Sequence, residues 1–129
     1  MDKSKRVWIY CRTAHPDEEM LKLQKQRLIN AAHERGYEIV GTTVESGSGL
    51  TLKRDGMEEV FAAADVRRMD AVFTVNSTRI ARNISELTDC IFRLNKQEIE
   101  LLTLDTGVVK VATACLRTWS NPMKGLANR

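Results

Sequence analysis

Apolar positions begin with Val7-Trp8-Ile9-Tyr10-Cys11, which passes directly into Arg12, Thr13 and Ala14. Such a Val/Trp/Ile-rich run predicts a buried parallel strand, and because alternate side chains of a strand share a face, Tyr10, Arg12 and Ala14 are expected to point the same way at its end. Pro16 suits a first helical position, Asp17, Glu18 and Glu19 place negative charge in the first turn, and Gly36 suits the residue just past the end, so a helix is predicted from Pro16 to Arg35. Its apolar stripe of Leu21, Leu28 and Ala32 contains one polar residue, Gln24, which needs a backbone partner or a crevice to face. Residues 37–44 predict a second strand, and the Gly- and Ser-rich stretch after it predicts a mobile loop. Met57, Val60, Phe61 and Ala64 recur at helical spacing and predict a second helix ending near Met69. Residues 71–75 read as a short buried strand that runs into the polar segment 76–82. Asn83 and Glu86 have the spacing of a capping box for a third helix with the stripe Ile84, Leu87, Ile91 and Leu94. Residues 99–104 predict a fourth strand, Asp105-Thr106-Gly107 a turn, and residues 108–111 an edge strand.

This alternation is that of an α/β domain: three layers, with four mainly parallel strands plus an edge strand and helices on both faces. The domain is expected over residues 1–112, with 113–129 a tail or a truncated interface helix. A chain of 129 residues fits one domain with a real core. Nothing in it approaches the ~20 apolar residues of a membrane span, and Arg12 interrupts the first apolar segment too early for a secretory signal, which places the protein in the cytoplasm. Cys11, Cys90 and Cys115 lack CxxC spacing and read as core thiols, while His15 and His33 read as helix-surface residues; no metal or other cofactor is implied. The formal net charge of +3 permits an anionic partner without demanding one.

Polar clusters follow each of the first three strands. Collected at one edge of the sheet are Arg12, Arg54, Arg79 and Arg82, with Tyr10, Gln24, Glu45 and Ser48. Only Glu45 is an evident acidic partner, whereas a phosphodiester would satisfy several guanidinium forks. The loop 45–54 lacks the P-loop pattern, and no GxGxxG is present.

These residues resemble the serine recombinases, the resolvase and invertase family of site-specific DNA recombinases. Tyr10-x-Arg12 is similar to the family's Tyr-x-Arg-x-Ser opening, Leu21-x-x-Gln24 to its Leu-x-x-Gln, Glu45-x-x-Ser48-Gly49 followed by Arg54 to its acidic-x-x-Ser-Gly…Arg, and Thr78-Arg79-Ile80-Ala81-Arg82-Asn83 to its Asp-Arg-Leu-Ser-Arg-Asn. The resemblance runs in order from about residue 6 to residue 107. It implies a catalytic domain in which a serine at the end of the first strand attacks a DNA phosphodiester, leaving a 5′-phosphoserine and a free 3′-hydroxyl without metal. By resemblance, Arg12, Arg54, Arg79 and Arg82 clamp the phosphate, Ser48 and Gln24 orient it, and Tyr10 and Glu45 support the arginines.

Two positions depart from the family pattern. Ala14 stands where the nucleophilic serine is expected, and Thr78 stands where an aspartate is expected. Thr13 and Cys11 are turned to the other face by strand alternation. The expectation is therefore a recombinase-type catalytic domain, inactive as it stands, that binds DNA weakly and non-specifically and pairs as a homodimer or with another recombinase subunit. The alternative is a non-catalytic module that pairs with an intact recombinase and regulates it. The residues after Gly107 leave no room for a helix-turn-helix or zinc segment, so no DNA-binding domain is expected.

Overall fold

The computed structural model describes residues 4–50 and 52–109. Strand β1 (Arg6–Thr13) is followed by α1 (Glu18–Arg35), β2 (Glu38–Ser46), α2 (Asp55–Asp65), β3 (Ala71–Thr74), a 3-10 turn (Ser77–Arg79), α3 (Ile84–Lys96), β4 (Glu100–Thr103) and β5 (Gly107–Val109). One sheet has the order β2-β1-β3-β4-β5. The first four strands are parallel, and β5 lies antiparallel on β4. The predicted edge strand is thus present up to Val109; the remainder of it, the tail 113–129 and Cys115 lie outside the described residues.

Strand alternation divides the core in two. Val7, Ile9 and Cys11, with Ala71, Phe73 and Leu102, pack against Leu28, Ala31 and Ala32 of α1. Trp8, Tyr10, Val72 and Leu101 face Met57, Val60 and Phe61 of α2 and Leu87, Ile91 and Leu94 of α3. Each fully buried aliphatic side chain of this kind contributes roughly 1.5–3 kcal/mol. Because β1 connects leftward to β2 while β3 connects rightward to β4, their C-terminal ends lie side by side where the chain direction across the sheet switches, the place where α/β sheets open a crevice.

Two helix boundaries and the placement of His15 differ from the sequence pattern. Pro16 is not the first helical residue: Asp17 is the cap, its carboxylate accepting from the Met20 amide at 3.0 Å, and the helix starts at Glu18. An aspartate side chain at this place satisfies an otherwise unpaired amide, which outweighs the proline preference. Helix α2 stops at Asp65 rather than near Met69, because Arg67 adopts a left-handed conformation (φ 55°) and the amides of Arg67 and Arg68 close back onto Ala64 and Ala63. Glycine is the usual signal for that stop, and here an arginine occupies the place. His15 lies exposed in the bend before α1, not on a helix, whereas His33 is on the exposed face of α1 as expected. The end of α1 follows its signal, with Gly36 at φ 73° donating to Ala32 and His33 carbonyls.

Trp8 sits where the register between β1 and β2 slips, paired with Gly41 rather than Val40. Its indole Nε1 donates to Thr43 Oγ1 at 2.9 Å, and a Cβ at Gly41 would fall on the six-membered part of the ring, well inside van der Waals contact. Gly41→Ala is therefore expected to destabilise the domain by about 1–3 kcal/mol, read as a lower urea midpoint; an unchanged midpoint would mean that the ring moves aside without penalty.

Candidate functional site

At the end of β1 the sequence delivers a charged residue into the interior. Arg12 is only 3% exposed and Arg54, the residue preceding α2, only 8%. Arg12 donates from Nε to the Arg79 carbonyl (2.7 Å), from Nη1 to Gly47 (2.6 Å) and from Nη2 to Thr78 (2.7 Å). Arg54 donates from Nη1 to the Ser48 carbonyl (2.6 Å) and from Nη2 to Ile80 (2.7 Å), and its Nε lies 3.3 Å from Glu45 Oε2. The sequence offers Glu45 as the evident partner and a phosphodiester as a group that would satisfy these forks; in the structure the Arg12 and Arg54 forks also meet backbone carbonyls of two loops, a type of partner that composition does not reveal. The Gly/Ser loop is likewise tethered rather than free, since the carbonyls of Gly47, Ser48 and Gly49 are all held, the last by the Arg82 amide at 2.7 Å.

Glu45, at the end of β2, gathers three donors. Its Oε2 accepts from the Tyr10 hydroxyl and from Arg54, and its Oε1 accepts from the Gly56 amide at 2.8 Å. Helix α2 has no capping side chain of its own at Arg54, so this carboxylate from a neighbouring strand serves the helix N-terminus. A Cβ at Gly56 would collide with the Glu45 carboxylate. The motif reading missed Gly56; a glycine in the first turn of a predicted helix was its only signal. Gly49 is similarly tight, with Arg82 Cγ and Arg12 Nη2 occupying the space a side chain would need.

Gln24 takes the backbone role: its Oε1 accepts from the Arg12 amide (3.2 Å) and its Nε2 donates to the Arg12 carbonyl (3.0 Å), so α1 grips the last turn of β1. Arg79 Nη1 donates to that same carbonyl at 3.1 Å, and its Nε is buried without a partner. Arg82 is exposed beside Gly49. The structure therefore brings together Tyr10, Arg12, Gln24, Glu45, Arg54, Arg79 and Arg82. Ser48 and Thr78 are present through their carbonyls; the Ser48 hydroxyl accepts from the Leu50 amide at 3.0 Å and the exposed Thr78 hydroxyl donates to Asn76 Oδ1. Ala14 is exposed in the bend one residue beyond β1, so the alternation that aligns Tyr10 with Arg12 does not extend to it. Thr13 is turned away: its hydroxyl donates to the His15 carbonyl at 2.6 Å and lies 3.1 Å from Ser46 Oγ.

The Resolvase N-terminal domain model matches residues 7–126. The chain belongs to the resolvase family. Solved catalytic domains of this family share the fold. The N-terminal catalytic domain of TP901-1 integrase superposes with a TM-score of 0.76 at 22% identity, covering 80% of each chain. A resolvase family site-specific recombinase from Streptococcus pneumoniae gives 0.73 at 18% identity over 89% of this chain and 85% of its own. The C-terminal catalytic domain of ISC1926 TnpA, an IS607-like serine recombinase, gives 0.71 at 20% identity over 88% and 76%. The chain is thus a serine-recombinase catalytic-type domain, with the mainly parallel sheet anticipated from its strand and helix pattern.

Electrostatics within this cluster follow from burial. Desolvation pushes the Arg12 guanidinium below its ordinary pKa, and the charges of Arg54, Arg79 and Arg82 add to the effect while Tyr10 opposes it. Burial, reinforced by the hydrogen bond to Glu45, raises the Tyr10 phenol well above the ordinary tyrosine value of 10.0. Burial also raises Cys11 to about 11 and Cys90 to about 12, from 9.0. A folded-state pKa above the unfolded one means that stability is fully present below the unfolded pKa and declines as pH rises past it. Stability is expected to fall with pH above 9.0, first through the thiols and, above 10.0, through Tyr10. Tyr10→Phe is expected to lower stability at neutral pH by about 1–3 kcal/mol, because Glu45 loses a donor, and to flatten the decline at alkaline pH. Urea midpoints measured from neutral to alkaline pH check both; an equally steep decline in the variant would show that Tyr10 does not ionise on unfolding.

Proposed function

We propose that this resolvase-family chain holds a DNA phosphate among its strand-end arginines but does not cut DNA as it stands. The observation that supports the reading is the gathering of Arg12, Arg54, Arg79 and Arg82 at the ends of parallel strands, beside a bend in which Ala14 occupies the place of the family's serine. Attack on a phosphodiester requires a side-chain oxygen that forms the new P–O bond while the 3′-oxygen of the broken ester departs with a proton. Ala14 offers a methyl group. The neighbouring Thr13 hydroxyl is engaged with His15 and Ser46, on the other face of the strand. At Thr78 a hydroxyl replaces the carboxylate that would help to move a proton or hold an arginine. What remains is positive charge arranged around one spot, which suits binding an anion and stabilising charge rather than covalent chemistry.

In this reading the domain occupies residues 1–112 and works in the cytoplasm. Its partners are DNA, bound weakly and without sequence preference through phosphate contacts, and a second recombinase-type subunit, either another copy or an intact family member. A regulatory role is favoured by where the losses fall: the positions of the nucleophile and the carboxylate have changed, while the buried arginine framework that shapes the domain is complete. Adding the chain to an active family member would then alter that partner's strand exchange, and no effect at excess would argue against regulation.

Ala14→Ser, in a fusion to a DNA-targeting domain so that occupancy does not limit the reaction, is expected to give only a faint covalent adduct with labelled DNA on a denaturing gel. Ala14→Ser combined with Thr78→Asp is expected to give more, since a positioned proton-transfer group typically contributes ~10²–10⁴-fold. A strong adduct from the unmodified chain would mean that another residue is the nucleophile.

A further inference from the structure

The edge of a sheet presents a row of unpaired amides and carbonyls, and proteins ordinarily guard it with lysine, proline or brevity. Strand β2 ends the sheet, is 9 residues long and contains neither lysine nor proline. Its one irregularity, the register slip at Val40, precedes an unbroken run from Gly41 to Ser46. Just beyond the strand the Gly47 amide donates to the Thr13 carbonyl of β1, so by alternation the amides and carbonyls of Ser46, Val44 and Thr42 turn away from β1. Val44 pairs with Cys11, which packs against Leu28, so its side chain stands on the face that α1 covers, yet it is 43% exposed. An open groove of about 430 Å³ lies there, lined by Val44 and by Glu18, Leu21, Lys22 and Lys25 of α1. Glu18 and Lys25 are exposed, and neither makes an ion pair among the described residues.

We propose that a second copy of this chain docks on this edge, β2 against β2 in antiparallel register about a two-fold axis at Val44. An isologous contact requires a surface complementary to itself, and this one is. The two Val44 residues face each other as a hydrogen-bonded pair, Thr42 of each copy opposes Ser46 of the other, and Thr43 opposes Glu45, so no like charges meet along the strands. On α1, Glu18 and Lys25 lie two turns apart, about 10 Å, at opposite ends of the groove. The same axis reverses the direction of the helix and brings Glu18 of each copy toward Lys25 of the other, while Val44 and Leu21 leave water. The two sheets then continue as one, and the exposed edge disappears. The inference gives a surface to the homodimer of the preceding reading and rests on it for the identity of the partner; the arginine cluster takes no part.

The test is sedimentation equilibrium of the full chain from about 1 μM to about 1 mM, where a reversible monomer–dimer equilibrium is expected. Val44→Lys sets two lysines opposite each other and is expected to weaken the dimer by about tenfold or more, with the thermal midpoint of the dilute monomer unchanged. Glu18→Lys or Lys25→Glu alone creates two like-charged pairs across the axis and is expected to weaken it by about threefold to tenfold. Both reversals together are expected to restore the affinity of the unmodified chain, a rescue that two independent surface positions would not give. High salt is expected to remove the effect of the single reversals. A dimer indifferent to Val44→Lys and to the charge swap pairs through another surface, which overturns this inference and leaves the homodimer standing. A chain monomeric throughout the range overturns both. If, in that case, Val44→Lys also lowers the thermal midpoint, the occupant of the edge is a segment of the same chain.

Discussion

Arg12 and Arg54 are almost entirely removed from water, and a charge in that position is tolerated only if its donors find acceptors of good geometry. The acceptors are carbonyls of the loop after β2 and of the turn after β3, drawn from segments 35 to 67 residues away from Arg12. These hydrogen bonds do two things at once. They make the buried charges permissible, and they give conformation to two connections that carry little apolar surface of their own. A loop rich in glycine and serine has much conformational entropy to lose on ordering, so the geometry of the site depends on the guanidinium groups beneath it.

The one buried carboxylate contact in this cluster, that of Glu45, has an equally broad reach. It receives the Tyr10 hydroxyl, balances Arg54 and meets the amide of Gly56 at the start of α2. A helix that lacks a capping side chain thus obtains one from β2, and the helix dipole favours the negative charge there. Gly56 is required because the carboxylate occupies the volume in which a Cβ would stand. Sheet, helix and arginine cluster are in this way joined through a single group.

Against this framework, Ala14 and Thr78, the two positions whose residues depart from the motif the sequence resembles, are local. Neither residue supports another element through its side chain: Ala14 is exposed in a bend, and the Thr78 hydroxyl reaches only Asn76. The fold therefore does not depend on the side chain at either position.

Much was determined by the sequence alone, and the reason is locality. The strands and helices are legible because period-2 and period-3.6 patterns and the caps at Gly36 and Asn83 are set by residues within a turn of one another. The candidate residues were legible because they follow strands in an α/β order, where side chains converge on one edge of the sheet. Tertiary structure decided the rest. It ended α2 at Asp65 through a left-handed arginine, placed Gln24 on the backbone of Arg12, and showed the Arg12 and Arg54 forks occupied by carbonyls. Every backbone carries the same carbonyls whatever its side chains, so which arginine they satisfy is settled only when distant segments are brought within hydrogen-bonding distance.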